Sequence, residues 1–142
     1  MKEVILMKKK TKEQMLRLAK EKIKNAYVPY SNFPLAASLL TSDGEIFTGV
    51  NIENASYGLT NCAERTAIFK AVSEGYRDFE ALLLYGGRSK IITPCGACRQ
   101  VINEFENDIE VIMINGDGEE FNKRSSELLP GAFKREDMED EF

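Results

Sequence analysis

The stretch "ALLLYGGRSKIITPCGACRQVINEFENDIEVIMI", Ala81–Ile114, decides the fold. "ALLLY" is an unbroken apolar run of strand length, and "IEVIMI" is another. Runs of this kind suit strands that are buried on both faces. Between them "PCGACRQVINEF" reads as a helix, with Thr93 as candidate N-cap and Pro94 at the first helical position. Strand, helix, strand in that order predicts a crossover that joins two parallel strands.

The flanks extend this unit. "LAASLLT" and "EIFTGV" lie on either side of "SDG", a hairpin signal and so an antiparallel pair. "NIENASYGLTN" is a polar loop, and Asn61 to about Ser73 reads as a helix closed by Gly75. From Thr11 to Tyr27 the apolar residues Met15, Leu18, Ala19, Ile23 and Ala26 recur at helical spacing, which predicts an amphipathic helix. Downstream, "GEEFNKR" reads as an edge strand and "SSELLPGAF" as a short helix ended by Pro130. The acidic end "EDMEDEF" reads as a solvated tail. The sum is an α/β protein, three-layer α/β/α with a mixed five-stranded sheet. One domain is expected over residues 1–142, with its core in about 12–135.

Composition removes several classes of function. A net charge of −4 supplies no basic footprint for nucleic acid or an anionic membrane. The apolar runs are too short to span a bilayer. "MKEVILMKKK" places Lys8, Lys9 and Lys10 after its short apolar stretch and offers no small-residue cleavage site, so it does not read as a signal peptide. The expected location is the cytoplasm, where cysteines stay reduced. Three cysteines there point to metal or catalysis.

Cys62, Cys95 and Cys98 all fall at predicted helix starts. The partial positive charge of a helix N-terminus favours thiolates. Each has a plainer reading as a small buried hydrophobe. Asn61-x-x-Glu64 likewise resembles a capping box, in which Glu64 only bonds a backbone N–H. A thiol redox role for Cys95-x-x-Cys98 leaves Cys62 idle. A closed zinc site needs four protein ligands, and this chain offers three thiols and no histidine. Three ligands leave one position for water, whose pKa zinc lowers from about 15.7 to about 7. Glu64 is then a carboxylate able to take and return protons. Three thiolates on Zn²⁺ leave a net negative charge, and Arg65 is a candidate to donate to a thiolate sulfur.

The segments "AYVPYSNFP", "NIENASYG", "CAERTAIFKAVSEG", "PCGACRQV" and "ELLPGAF" together resemble the cytidine deaminases of the short, homotetrameric, zinc-dependent type. The resemblance covers about residues 12 to 135 and implies deamination of cytidine and deoxycytidine, as in pyrimidine salvage. It implies Zn²⁺ on Cys62, Cys95 and Cys98, and Glu64 as the proton shuttle. It implies the Ala63 N–H on the base carbonyl, Asn51 and Glu53 on the sugar hydroxyls, and Phe33 stacked on the base. It also implies that Phe133 reaches a neighbouring subunit's site. The expected partners are a small nucleoside and copies of the chain itself, with no nucleic acid and no membrane. Ala36 stands where glycine is usual, and Tyr85 and Arg88 depart from the common small-residue stretch before "PCGAC" and are candidates to alter the pocket rim. The alternatives are a same-fold deaminase of another aminopyrimidine nucleoside such as blasticidin S, a structural zinc protein or a thiol redox protein.

Overall fold

Five strands make one sheet in the order β2-β1-β3-β4-β5. They are β1 (Ala36–Thr41), β2 (Ile46–Val50), β3 (Phe79–Tyr85), β4 (Glu110–Ile114) and β5 (Glu120–Arg124). Pairing is antiparallel except between β3 and β4, which are parallel with Ala81 opposite Glu110 and Tyr85 opposite Ile114. The sheet is therefore mixed, and the crossover expected over Ala81–Ile114 is present. This computed structural model describes residues 2–139, with side chains from residue 9 onward.

The period-two alternation of the strands divides the core. Ala37 and Leu39 of β1, Leu82 and Leu84 of β3, and Val111 and Met113 of β4 face α2 (Ala63–Ser73) and α3 (Gly96–Ile102). Their neighbours Ala36, Leu40, Ala81, Leu83, Ile112 and Ile114 face α1 (Lys2–Lys22), where Met15 and Ala19 pack on them. Ser38 Oγ donates to the Met15 carbonyl at 2.7 Å and ties that helix down. Three layers result, as the sequence predicts. Each fully buried Leu, Ile or Met in them contributes about 1.5–3 kcal/mol over an exposed position.

Two glycines matter for placing the helices. A Cβ at Gly49 would lie 2.4 Å from the Ala67 nitrogen and 2.6 Å from the Ala63 carbonyl oxygen, so glycine lets α2 rest directly on β2. Gly75, at φ +97°, ends α2. Its N–H bonds the Val72 carbonyl and the Tyr76 N–H bonds the Ala71 carbonyl, which completes a Schellman motif.

Several boundaries differ from the sequence expectation. The first helix begins at Lys2 instead of Thr11. It stops at Lys22, and Ile23–Asn25 form a 3₁₀ turn. Tyr27 is drawn out of the helix by backbone pairing: its N–H bonds the Asn51 carbonyl at 3.0 Å and its carbonyl accepts the Glu53 N–H at 2.8 Å. The third helix starts at Gly96 with Cys95 as N-cap, not at Pro94 with Thr93, and it ends early at Ile102. The short helix α4 is Ser125–Leu128. The expected solvated tail forms an exposed helical turn, α5 (Glu136–Glu139), and its last residues 140–142 lie outside the described residues.

Candidate active site

Val50, Ala36, Tyr85 and Ile114 stand in one row across β2, β1, β3 and β4. Segments 26–35, 51–62, 86–95 and 115–119 all leave the sheet at this end. It is the carboxyl end of the parallel pair, where α/β sheets commonly place ligands. Both N-termini of α2 and α3 begin here.

Cys62 and Cys95 are the N-cap residues of these helices, each in extended backbone conformation and neither using its side chain as a cap. Cys98 lies one turn into α3 and is fully buried. The Cys62 and Cys95 sulfurs are 3.8 Å apart, those of Cys95 and Cys98 are 3.5 Å apart, and all three lie within 4.8 Å of one another. Sulfurs bound tetrahedrally to zinc at about 2.3 Å stand about 3.8 Å apart. The two shorter separations match those of sulfurs that share a zinc ion.

The cluster's own electrostatics point the same way. A hydrogen bond from the Cys98 thiol, with help from Arg65, holds Cys62 down to about 5. Giving that hydrogen bond, together with burial, pushes Cys98 well above the usual thiol range. Cys62 and Cys98 thus oppose each other's ionisation, and a bound metal would favour the thiolate form of both. Arg65 Nη2 donates to the Cys62 sulfur at 3.4 Å, the geometry expected for relieving charge on a thiolate.

Glu64 is buried, 2% exposed, in the first turn of α2. Its Oε1 has no hydrogen-bond partner among the described residues. Burial pushes its carboxyl up to about 7, and the negative charge on Cys62 adds to the shift. The capping-box alternative is not formed. The N-cap is Cys62, because Asn61 is held extended by a two-way backbone bridge with Ile52 at 2.9 Å. An unpartnered buried carboxylate oxygen beside three sulfurs is the arrangement that a metal-held water would complete. Ala63, fully buried, is the first residue of α2, so its N–H has no intrahelical acceptor.

A family model described as the cytidine and deoxycytidylate deaminase zinc-binding region matches residues 9–114. The chain belongs to this family. A cytidine deaminase from Sporosarcina psychrophila is 50% identical over 127 residues, 89% of this chain and 93% of the relative. A probable cytidine deaminase from Dictyostelium discoideum is 50% identical over 127 residues, 89% of this chain and 86% of the relative. The crystal structure of the cytidine deaminase from Burkholderia pseudomallei superposes with a TM-score of 0.81 at 47% identity, over 85% of this chain and 98% of that one. The metal of this deaminase family is zinc, and the three cysteines are placed to hold it.

Asn51, Glu53 and Phe33 lie at the same end. Asn51 donates from Nδ2 to the Phe33 carbonyl at 2.8 Å, and its Oδ1 accepts the Leu35 N–H at 2.9 Å. Glu53 accepts the Tyr30 and Ser31 N–H groups at 2.9 and 3.1 Å and the Ser31 hydroxyl, whose hydrogen bond holds its carboxyl below the usual range. Both side chains thus shape the 30–35 loop of this deaminase fold. Phe33 is half-buried, with the Arg88 guanidinium over its ring. Phe133 is 59% exposed, its carbonyl held by Gln100 Nε2 at 2.7 Å.

Of the two rim candidates, Arg88 lies against Phe33 and Tyr85 is elsewhere. Tyr85 packs on the α1 side of the sheet, near Lys20, and Ala36 is buried on that same side. Strand alternation puts both on the face opposite the cysteines. Sequence reading also missed Arg99, which donates to the Pro94 and Leu128 carbonyls at 2.8 and 2.9 Å and to Thr93 Oγ1 at 3.3 Å. It fixes the turn that presents Cys95. Its place directly after Cys98 was the available signal.

Proposed function

We propose that this chain hydrolytically deaminates cytidine and deoxycytidine to uridine and deoxyuridine, releasing ammonia. The observation that carries this reading is the buried Glu64 carboxyl, its Oε1 without a partner, two residues on from Cys62 of the three-sulfur cluster. When bound, zinc makes water acidic enough to deliver hydroxide near neutral pH. Glu64 would take the proton that water gives up as hydroxide adds to C4 and hand it to the ring nitrogen. It would then take the proton of the added hydroxyl and pass it to the amine, as the C–N bond breaks, the C4 carbonyl forms and ammonia leaves. The Ala63 N–H donates to the base carbonyl, Phe33 stacks on the base, and Asn51 and Glu53 bind the sugar hydroxyls while they hold the 30–35 loop. Arg65 keeps the cluster's excess negative charge in check.

The test is a direct ultraviolet assay with four compounds. Glu53 presents negative charge and no Lys or Arg lies within "NIENASYG", so a 5′-phosphate finds no partner there. Cytidine and deoxycytidine are expected to exceed cytidine monophosphate and free cytosine in kcat/KM by on the order of 10²-fold or more. Equal rates on all four would overturn the sugar contacts. Turnover of blasticidin S with none of cytidine would move the reading to the neighbouring specificity.

The working form is proposed to be a cytoplasmic homotetramer in pyrimidine salvage. Free thiols this close together persist in a reducing compartment. Exposed Phe133, Tyr57, Leu59 and Phe69 supply apolar surface for neighbouring subunits, with Phe133 reaching the next subunit's site. Truncation after Pro130 is expected to yield a smaller assembly with poor nucleoside binding and full zinc, read by light scattering, metal analysis and kinetics. A monomeric, fully active wild-type protein would refute the shared site.

A further inference from the structure

We infer that Arg88 is a positioning residue for the substrate loop, clamping Phe33 and so setting nucleoside affinity. The inference rests on the nucleoside deaminase reading above. The Arg88 guanidinium carbon stands 4.0 Å from the Phe33 ring centroid, within cation–π range. Its Nη2 donates to the Asn32 carbonyl at 2.6 Å. Asn32 is the one non-glycine residue at positive φ among the described residues, at 55°. A left-handed asparagine is tolerated locally, and the Phe33 backbone beyond it is held by Ser31 Oγ at its N–H and Asn51 Nδ2 at its carbonyl, which leaves the ring as the part that Arg88 alone holds among the contacts of the described residues. Arg88 grips both the carbonyl of Asn32 and the ring of Phe33.

The clamp has a firm base. The Arg88 carbonyl accepts the Gly116 N–H at 2.7 Å, and the neighbouring Ser89 carbonyl accepts Asn115 Nδ2 at 2.6 Å. Gly116 has no room for a side chain, since a Cβ would lie 2.2 Å from the Gly87 carbonyl oxygen. The backbone of Arg88 is thereby pinned to the end of β4. The same connection runs on to Cys95. Arg88 therefore couples the loop that carries Phe33 to the loop that carries a zinc ligand. Asn51 and Glu53 hold the 30–35 segment by its backbone, and Arg88 adds a hold on the Asn32 carbonyl and the Phe33 ring. Lysine cannot replace it, because a point charge cannot lie flat on the ring and bond the carbonyl together.

The test uses Arg88→Ala, Arg88→Lys, Phe33→Leu and the Arg88→Ala/Phe33→Leu double variant, all as full-length zinc-loaded protein. Arg88→Ala is expected to raise KM for cytidine on the order of tenfold with kcat changed by less than about twofold. Arg88→Lys recovers only part of the loss. In the Phe33→Leu background, Arg88→Ala adds little, because its partner is already gone. A full further rise in KM there would overturn the inference, since Arg88 would then act without Phe33. Hydrogen exchange reads the clamp without any substrate. Peptides over 30–35 are expected to exchange on the order of tenfold faster in Arg88→Ala, while β1 is unchanged. Unchanged exchange overturns the clamp. Absence of cytidine turnover in wild type would instead overturn the substrate reading, and the exchange result would still decide the role of Arg88.

Discussion

Glu64→Gln is expected to keep its fold and its zinc while turning cytidine over about 10²–10⁴-fold more slowly, the range lost with a general acid–base. Glutamine fills the same volume but cannot carry a proton. The role of Glu64 as a mere cap predicts a different outcome, a loss of about 1 kcal/mol in stability with turnover intact. Metal analysis, melting temperature and kcat on one preparation separate them. Near-normal kcat in the variant would sink the catalytic role. A second readout comes from the metal-free protein. The Glu64 carboxyl sits at about 7 in the folded state against 4.5 when unperturbed. Below pH 4.5 both states are protonated and the group costs nothing. As pH rises toward 7 the unfolded chain releases the proton and the folded chain retains it, so wild type loses stability across that window. Chelator-treated Glu64→Gln should therefore gain on wild type from pH 4.5 to 7, by up to about 3 kcal/mol, and hold a constant advantage above. A pH-independent difference would show that the carboxyl is not held neutral by burial.

Cys98→Ala is expected to abolish both bound zinc and activity. Structural zinc sites bind with about 10–16 kcal/mol, so one ligand of the set accounts for roughly two to three orders of magnitude in affinity. Cys98 is the most enclosed of the three sulfurs, and water has little access to take its place. The chain should still fold, because losing one buried sulfur costs about 1 kcal/mol. Chelation should lower the melting temperature of wild type and leave that of Cys98→Ala unchanged. A variant that holds one zinc per chain with wild-type affinity would remove Cys98 from the ligand set.

Much of the site was legible because its signals are short-range. Cys95-x-x-Cys98 puts two sulfurs on one helix start, and Cys62-x-Glu64 puts a thiol and a carboxylate at another. Such spacings survive into any fold that forms those helices. Arg65 was legible for the same reason, lying three residues from the sulfur it meets. The cap positions were misread because Asn61 and Thr93 are good N-caps by residue type, while backbone pairing with Ile52 and the Arg99 grip on Thr93 and Pro94 hold these segments extended.

The sequence by itself determined the layers of this protein and its chemistry. Apolar runs at period two and stripes at period 3.6 specify which elements pair and pack, and three thiols without histidine restrict the metal chemistry. Only the tertiary structure decided what stands next to what across long separations. It brings Cys62 to 3.8 Å from Cys95, 33 residues away, and turns Tyr85 toward α1 and away from the cysteines. It spends the polar atoms of Asn51 and Glu53 on the 30–35 backbone and lays Arg88 across Phe33, 55 positions apart in the chain. The physical reason is that periodicity reports the face a side chain takes, whereas its neighbour is set by sheet register and loop closure, which involve residues distant in sequence.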